Sequence, residues 1–70
     1  MIKIYLSEIL GRKKLTQLYI VKKTGIRPGT VNAYYHEFIK HVNLDHLNKM
    51  CEVLGCRLDE LIEYIPDDKK

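Results

Sequence analysis

The strongest constraint on the fold is a helix stop and a helix start that stand only three residues apart. Gly25 follows Lys22, Lys23 and Thr24. This order is typical of a helix that ends in basic residues and a left-handed glycine. Pro28 fits the first position of a new helix, where its missing N–H costs nothing. The sequence therefore predicts two helices that meet at a tight turn.

Around this turn, apolar residues recur at intervals of three and four, which is the period of the α-helix. The first helix is predicted to place Leu6, Ile9 and Leu10 inward and to end at Gly11, which a basic segment follows. Thr16 is the predicted N-cap of the second helix. The predicted inward positions of the second and third helices are Ile20, Val21, Val31 and Tyr34.

Two further helices are predicted in the second half of the chain. Asn43 caps the fourth helix and Gly55 ends it, while Asp59 favours the start of a fifth that Pro66 follows. Their predicted inward positions are Leu44, Leu47, Cys51, Leu54, Leu58, Leu61 and Ile62. Five short helices leave no length for a real sheet, although residues 2–4 and 64–65 could pair as a two-strand bridge.

The length of 70 residues predicts a single domain, residues 1–70, that acts through its surface rather than through a deep pocket. No apolar run approaches the roughly 18 residues of a membrane span, and the first residues do not form a signal peptide. Two cysteines without such a signal indicate free thiols in a reducing interior. We therefore expect a cytoplasmic protein with no membrane partner.

Charge is distributed unevenly along the chain. Residues 1–43 have a net charge of +6, whereas residues 44–70 have a net charge of −3. A basic front half indicates a polyanion that meets one face of the domain. A solvated surface with uneven charge is the alternative that this pattern alone leaves open.

The two helices at the tight turn, residues 16–36, form a helix-turn-helix. In this motif the second helix projects from the body and can enter the major groove of DNA. Further segments accompany it in a fixed order: Leu15–Gln17, Gly25–Ile26, Thr30–Val31, Asn43–Leu47 and Glu52–Pro66. With these segments, the chain resembles the small single-domain bacterial Cro/CI-type (Xre family) helix-turn-helix regulators, from residue 6 to residue 66.

The resemblance implies an all-α fold: a compact, five-helix, lambda-repressor-like DNA-binding domain. It implies a sequence-specific regulator of transcription, a repressor or autoregulator, that reads double-stranded DNA with its third helix. Because one such helix buries little area, we expect a homodimer, at least on DNA, on a palindromic operator. No enzymatic activity, cofactor or small-molecule ligand is expected, since no nucleophile with an adjacent base is visible.

Site residues follow by position from the same resemblance. Base-reading positions are Arg27, Gly29, Thr30, Asn32 and Ala33. Phosphate contacts are expected from Gln17 and His36, and from the basic residues Lys13, Lys14, Lys22, Lys23 and Lys40. With so few direct readers, DNA shape is expected to supply part of the specificity.

The sequence departs from the family pattern at two positions near the turn. Arg27 stands where Ser or Thr usually caps the third helix, and arginine cannot accept that hydrogen bond. Either Arg27 is placed for DNA, or Pro28 and Thr30 suffice to start the helix. Val21 replaces a small alanine, and its extra methyl groups are expected to open the helix crossing slightly.

Apolar residues also stand where the family is usually polar, namely Leu18, Tyr19, Phe38 and Ile39. Either they fold back on the core, or they form a dimer or partner surface, for which Tyr64 and Ile65 are further candidates. These departures, with the weak readers Gly29 and Ala33, support an alternative function: a protein-interaction module, such as an antitoxin-like or adaptor subunit, that binds DNA weakly.

A run of possible metal ligands recurs every five residues: His36, His41, His46, Cys51 and Cys56. Five residues turn a helix by about 500°, so neighbours in this series differ by about 140° and cannot share a face. We therefore predict no metal site, and in a reducing compartment no disulfide between the two cysteines.

Overall fold

The computed structural model describes residues 1–66, which form an all-α domain of five helices with one small sheet. The elements in chain order are β1 (Ile2–Ile4), α1 (Leu6–Lys13), α2 (Gln17–Thr24), α3 (Pro28–Tyr35), α4 (Leu44–Leu54), α5 (Leu58–Leu61) and β2 (Ile62–Tyr64). The five-helix prediction is thereby confirmed. None of the helices in the described range is long and apolar enough to cross a membrane.

The predicted bridge between the two ends of the domain is present. Strands β1 and β2 pair antiparallel, with Ile2 opposite Tyr64 and Ile4 opposite Ile62. The strand begins earlier than predicted, so the placement of Ile62 on the inward face of the fifth helix was wrong. Ile62 has extended backbone angles (φ −133°, ψ 156°), and this β-branched residue packs beside the buried Ile4 instead of prolonging the helix.

The predicted side-chain caps are present at the starts of α2 and α4, and the predicted glycine ends α2. The Thr16 hydroxyl accepts the N–H of Tyr19 at 3.1 Å. The Asn43 side chain accepts the N–H of Asp45 at 2.8 Å. Gly25 ends α2 with a φ of +78°, in the left-handed region that a side chain disfavours.

The end of α1 differs from the prediction. The helix continues through Gly11 to Lys13, and Lys14 takes the left-handed conformation with φ +58°. The N–H groups of Lys14 and Leu15 donate to the carbonyls of Gly11 and Leu10, so the terminal carbonyls are satisfied without a glycine at the stop.

The core lies between the helices, with β1 closing one side. It consists of Ile4, Leu6, Ile9, Leu10, Ile20, Ile26, Val31, Tyr34, Leu47, Met50, Leu54 and Leu61. The predicted inward residues Val21 and Cys51 are half-buried and pack against it. Met50, which the sequence reasoning missed, is fully buried, because Leu47, Met50 and Leu54 form the inward stripe of α4.

Two leucines that were predicted to face inward are exposed. Leu44 is 80% exposed and Leu58 is 51% exposed. Each is the first residue of its helix, so it stands at the edge of the domain, one turn before the residues that reach the core. Their spacing fits the helical period, but the body of the protein does not extend that far.

Candidate nucleic-acid interface

The turn between α2 and α3 is held by a small network of buried groups. The N–H of Gly25 donates to the carbonyl of Val21 at 2.9 Å, and Ile26 is buried in the core below the turn. Thr24 is also buried; its hydroxyl donates to the carbonyl of Ile20 at 2.6 Å and accepts the N–H of Ile26 at 3.1 Å. Three residues therefore reverse the chain without leaving these polar groups unpaired.

Helix α3 divides into a buried face and an outer face. Val31 and Tyr34 are fully buried and fix the helix to the body. The predicted base-reading residues lie away from this buried pair: Arg27, Gly29 and Asn32 are exposed, and Thr30 and Ala33 are half-buried at the margins. The outer face offers a guanidinium, an amide, a hydroxyl and a methyl group at its surface.

The start of α3 lacks the side-chain cap that the sequence pattern put in doubt. Arg27 occupies the N-cap with an extended backbone (φ −60°, ψ 146°) and accepts no side-chain hydrogen bond from the helix. Pro28 fills the first helical position, as predicted. The Arg27 side chain is thus not committed to the helix end.

The predicted phosphate-contacting residues lie at the ends of α1, α2 and α3 and in the loop that follows. Lys13 and Lys14 are exposed at the end of α1, and Lys22 and Lys23 in the last turn of α2. The remaining members are half-buried Gln17, exposed His36 and exposed Lys40. Within residues 1–66, none of these lysines forms a salt bridge; the three salt bridges there involve Lys3, Lys49 and Arg57.

Sequence reasoning missed one residue beside this surface. Glu37 is the only acidic residue between positions 9 and 44, which was the signal that could have drawn attention to it. Its carboxylate accepts the N–H of Ile4 at 3.2 Å and pairs with Lys3 at 3.1 Å. These contacts hold the pKa of the Glu37 carboxyl below its ordinary value, with the Ile4 hydrogen bond as the largest cause.

The six candidate partner residues separate into two groups. Tyr19 and Ile39 are half-buried and pack against the core, so for them the fold-back alternative holds. Ile65 is also half-buried. Leu18, Phe38 and Tyr64 are exposed.

An apolar groove lies beside Tyr64, in the C-terminal part of the sequence. Its apolar lining consists of Ile2, Leu58, Ile62 and Tyr64, and Arg57, Asp59 and Glu63 also line it. Leu58 also lines a second depression, together with Leu44, Leu47, Asn48 and Cys51. The exposure of Leu44 and Leu58 thus creates a larger apolar surface than the sequence pattern predicted.

The five-residue series of histidines and cysteines is spread over separate environments. His36 stacks on Phe38, and Nδ1 of His46 lies 3.2 Å from the Tyr34 hydroxyl. Both cysteines are free, and burial raises the pKa of the Cys56 thiol. No group of three or more possible metal ligands occurs within the described part of the chain.

The fold and the turn agree with a comparison to known families. The sequence profile of the Cro/C1-type HTH DNA-binding domain matches residues 5–67 of the 70-residue chain. The chain belongs to this family. The match spans all five helices of the Cro/C1-type domain and supports DNA binding by it. Curated protein sequences give no match.

Proposed function

We propose that this Cro/C1-type domain is a sequence-specific regulator of transcription, a repressor or autoregulator, that reads the major groove of double-stranded DNA with α3. The observation that carries the proposal is the outer face of α3. Arg27, Gly29 and Asn32 are exposed there, and Glu37, the one acid between positions 9 and 44 of the sequence, is paired with Lys3. A helix with this face uncovered can enter a groove about 12 Å wide.

The readers on this face differ in what they can distinguish. Asn32 can pair with N6 and N7 of adenine, and Arg27 can donate two hydrogen bonds to guanine. Thr30 and Ala33 offer methyl groups to thymine, while Gly29 reads no base but lets the backbone come close to the DNA. Only two side chains thus read bases strongly, so DNA shape and deformability supply the remaining specificity.

The basic residues position the domain without specifying sequence. Lys13, Lys14, Lys22, Lys23 and Lys40 are exposed cations, and Gln17 and His36 can donate to phosphate oxygens. Contacts of this kind release counterions and make the affinity strongly dependent on salt.

Two copies bind together in this proposal, since a single recognition helix covers a small site. The apolar groove of Ile2, Leu58, Ile62 and Tyr64 is the surface that the second copy covers. Charges of both signs, Arg57 and the carboxylates of Asp59 and Glu63, line the same groove. Under two-fold symmetry the same patch meets itself, so the arginine of one copy can face a carboxylate of the other.

The groove is tested with two exposed leucines. Leu58→Asp places a charge inside it and should strongly weaken binding to paired half-sites while leaving binding to a single half-site unchanged. Leu18→Asp introduces the same charge on α2, beside the DNA, and should weaken binding to single and paired half-sites alike. Loss of the advantage of paired half-sites in Leu18→Asp but not in Leu58→Asp would place the dimer contact elsewhere.

The function itself is tested by selecting random double-stranded DNA with the purified protein. We expect enrichment of an inverted repeat whose half-sites are about one helical turn apart. Binding that is weak and enriches no sequence would contradict the proposal. That result would favour the protein-interaction module instead, for which the apolar groove is the supporting feature.

A further inference from the structure

Glu37 fastens the loop after α3 to the first strand of the sheet. Its backbone is left-handed, with φ +62°, which is uncommon for a residue with a side chain. One carboxylate oxygen accepts the N–H of Ile4 at 3.2 Å, and the other lies 3.1 Å from the Lys3 ammonium. Both oxygens are therefore engaged by β1, more than thirty positions away in sequence.

The residues on either side of Glu37 form an aromatic stack. The rings of His36 and Phe38 have centroids 5.7 Å apart and planes inclined by 24°. The Phe38 N–H donates to the carbonyl of Ala33 at 2.8 Å, so the stack stands at the C-terminal end of α3. Phe38 is nonetheless 69% exposed, although it is a large apolar side chain.

This stack lies in line with the outer face of α3. Gly29, Asn32 and His36 are exposed and are spaced by three and four residues, as positions on one helical face are. Phe38 stacks on the last of them. A DNA duplex that contacts Gly29 and Asn32 will therefore have its backbone near the two rings.

A carboxylate at this place repels the phosphates of an approaching DNA duplex, so it would weaken binding unless it also supports binding in another way. The rest of the segment from residue 9 to residue 44 contains no acid. Glu37 turns its charge towards Lys3 and Ile4 instead. This pairing reduces the repulsion between the Glu37 carboxylate and DNA phosphates, and the hydrogen bonds of Glu37 fix the conformation of the loop.

We propose that Glu37 is a positioning residue of the DNA-binding surface, and that by binding β1 it presents the stacked His36 and Phe38 to the DNA backbone. There the imidazole of His36 donates to a phosphate, and the ring of Phe38 packs on a deoxyribose. This inference rests on the proposed function and adds a contact that reads no base and strengthens binding to all sequences.

The test compares two variants that remove the same charge. Glu37→Gly abolishes the attachment to β1, while glycine still accepts a positive φ. Glu37→Gln keeps an oxygen that can accept the Ile4 N–H. Simple repulsion predicts that both variants bind DNA more tightly. The positioning role predicts that Glu37→Gly binds roughly fivefold more weakly and that Glu37→Gln stays within about twofold of wild type.

A double-mutant cycle shows whether Glu37 acts through the stack. Phe38→Ala should itself weaken binding roughly fivefold, and adding Glu37→Gly should then cost little more. Affinities are measured by fluorescence anisotropy on the selected site and on a scrambled duplex. Hydrogen exchange of the Ile4 amide reports the attachment independently, and it should be faster in Glu37→Gly than in wild type.

The outcomes separate this inference from the proposed function. Wild-type protein that binds DNA, together with a Glu37→Gly variant that binds as well or better, overturns the inference alone. Full additivity of the two substitutions also overturns it. Wild-type protein that binds no DNA overturns the proposed function, and this inference with it.

Discussion

The last turn of α2 provides the sharpest quantitative prediction. Lys22 and Lys23 are exposed next to the turn that leads into α3, and neither forms a salt bridge within residues 1–66. The Lys23 ammonium lies 5.7 Å from the centroid of the Tyr19 ring, which keeps that side chain close to the helix. We expect each lysine to neutralise one phosphate.

The expected size of the effect follows from counterion release. About four phosphate contacts per subunit give a dimer a slope near −7 for the logarithm of affinity against the logarithm of salt concentration. The double variant Lys22→Ala, Lys23→Ala removes about half of these contacts. Its salt dependence should therefore become shallower, with a slope of about −4 on specific and random DNA alike.

The assay is a salt titration of binding by fluorescence anisotropy, with a control of matched charge. Lys49→Glu changes the net charge by the same two units, but at a side chain on α4 that pairs with Asp45 and lies outside the dimer groove. The control should retain the wild-type slope. An unchanged slope in the Lys22 and Lys23 variant, or an equal decrease in the control, would refute the placement of DNA against α2 and α3.

Three further predictions concern the fold around this surface. Both Gly25→Ala and Gly29→Ala add a methyl group with no atom within 4 Å. The first should cost about 1 kcal/mol of unfolding free energy because of its positive φ. The second lies within α3, so it should raise the unfolding free energy by roughly 0.5–1 kcal/mol while its methyl group weakens DNA binding by keeping the backbone from the DNA. Tyr34→Phe removes a hydroxyl that accepts the N–H of the α4 N-cap residue at 3.2 Å. Thermal denaturation should show a loss of about 1 kcal/mol, against no change in Tyr35→Phe. Because the pKa of Glu37 is lowered in the folded state, its contribution is present above the ordinary carboxyl pKa and is lost as the pH falls through the lowered value. The free energy of unfolding should therefore decrease less on acidification in Glu37→Gln than in wild type.

Local chemistry explains why so much of the fold was predictable from the sequence. The caps at Thr16 and Asn43 and the stop at Gly25 depend on residues that are neighbours in sequence, and all three predictions were confirmed. Val31 and Tyr34 were correctly placed in the core, because residues three apart lie on one face of α3.

Features that depend on the tertiary structure were harder to predict. The helical period placed Leu44 and Leu58 inward, but periodicity does not reveal where the core ends, and both are exposed. Gly11 was predicted to end α1, but the helix continues to Lys13, and the N–H groups of Lys14 and Leu15 then satisfy its last carbonyls. The attachment of Glu37 to β1 joins distant segments, so no local pattern could indicate it.

The most direct test of the central claim is to measure the base preference at the pair that Asn32 contacts. Wild-type protein and Asn32→Ala are compared on the selected operator and on every single-base-pair variant of it. We predict that Asn32→Ala loses about 1–3 kcal/mol of binding free energy on the best site and no longer distinguishes the bases at one position of each half-site. Its affinity for random DNA should equal that of wild type. Equal losses on the operator and on random DNA, with every base preference retained, would contradict the reading of DNA by the outer face of α3.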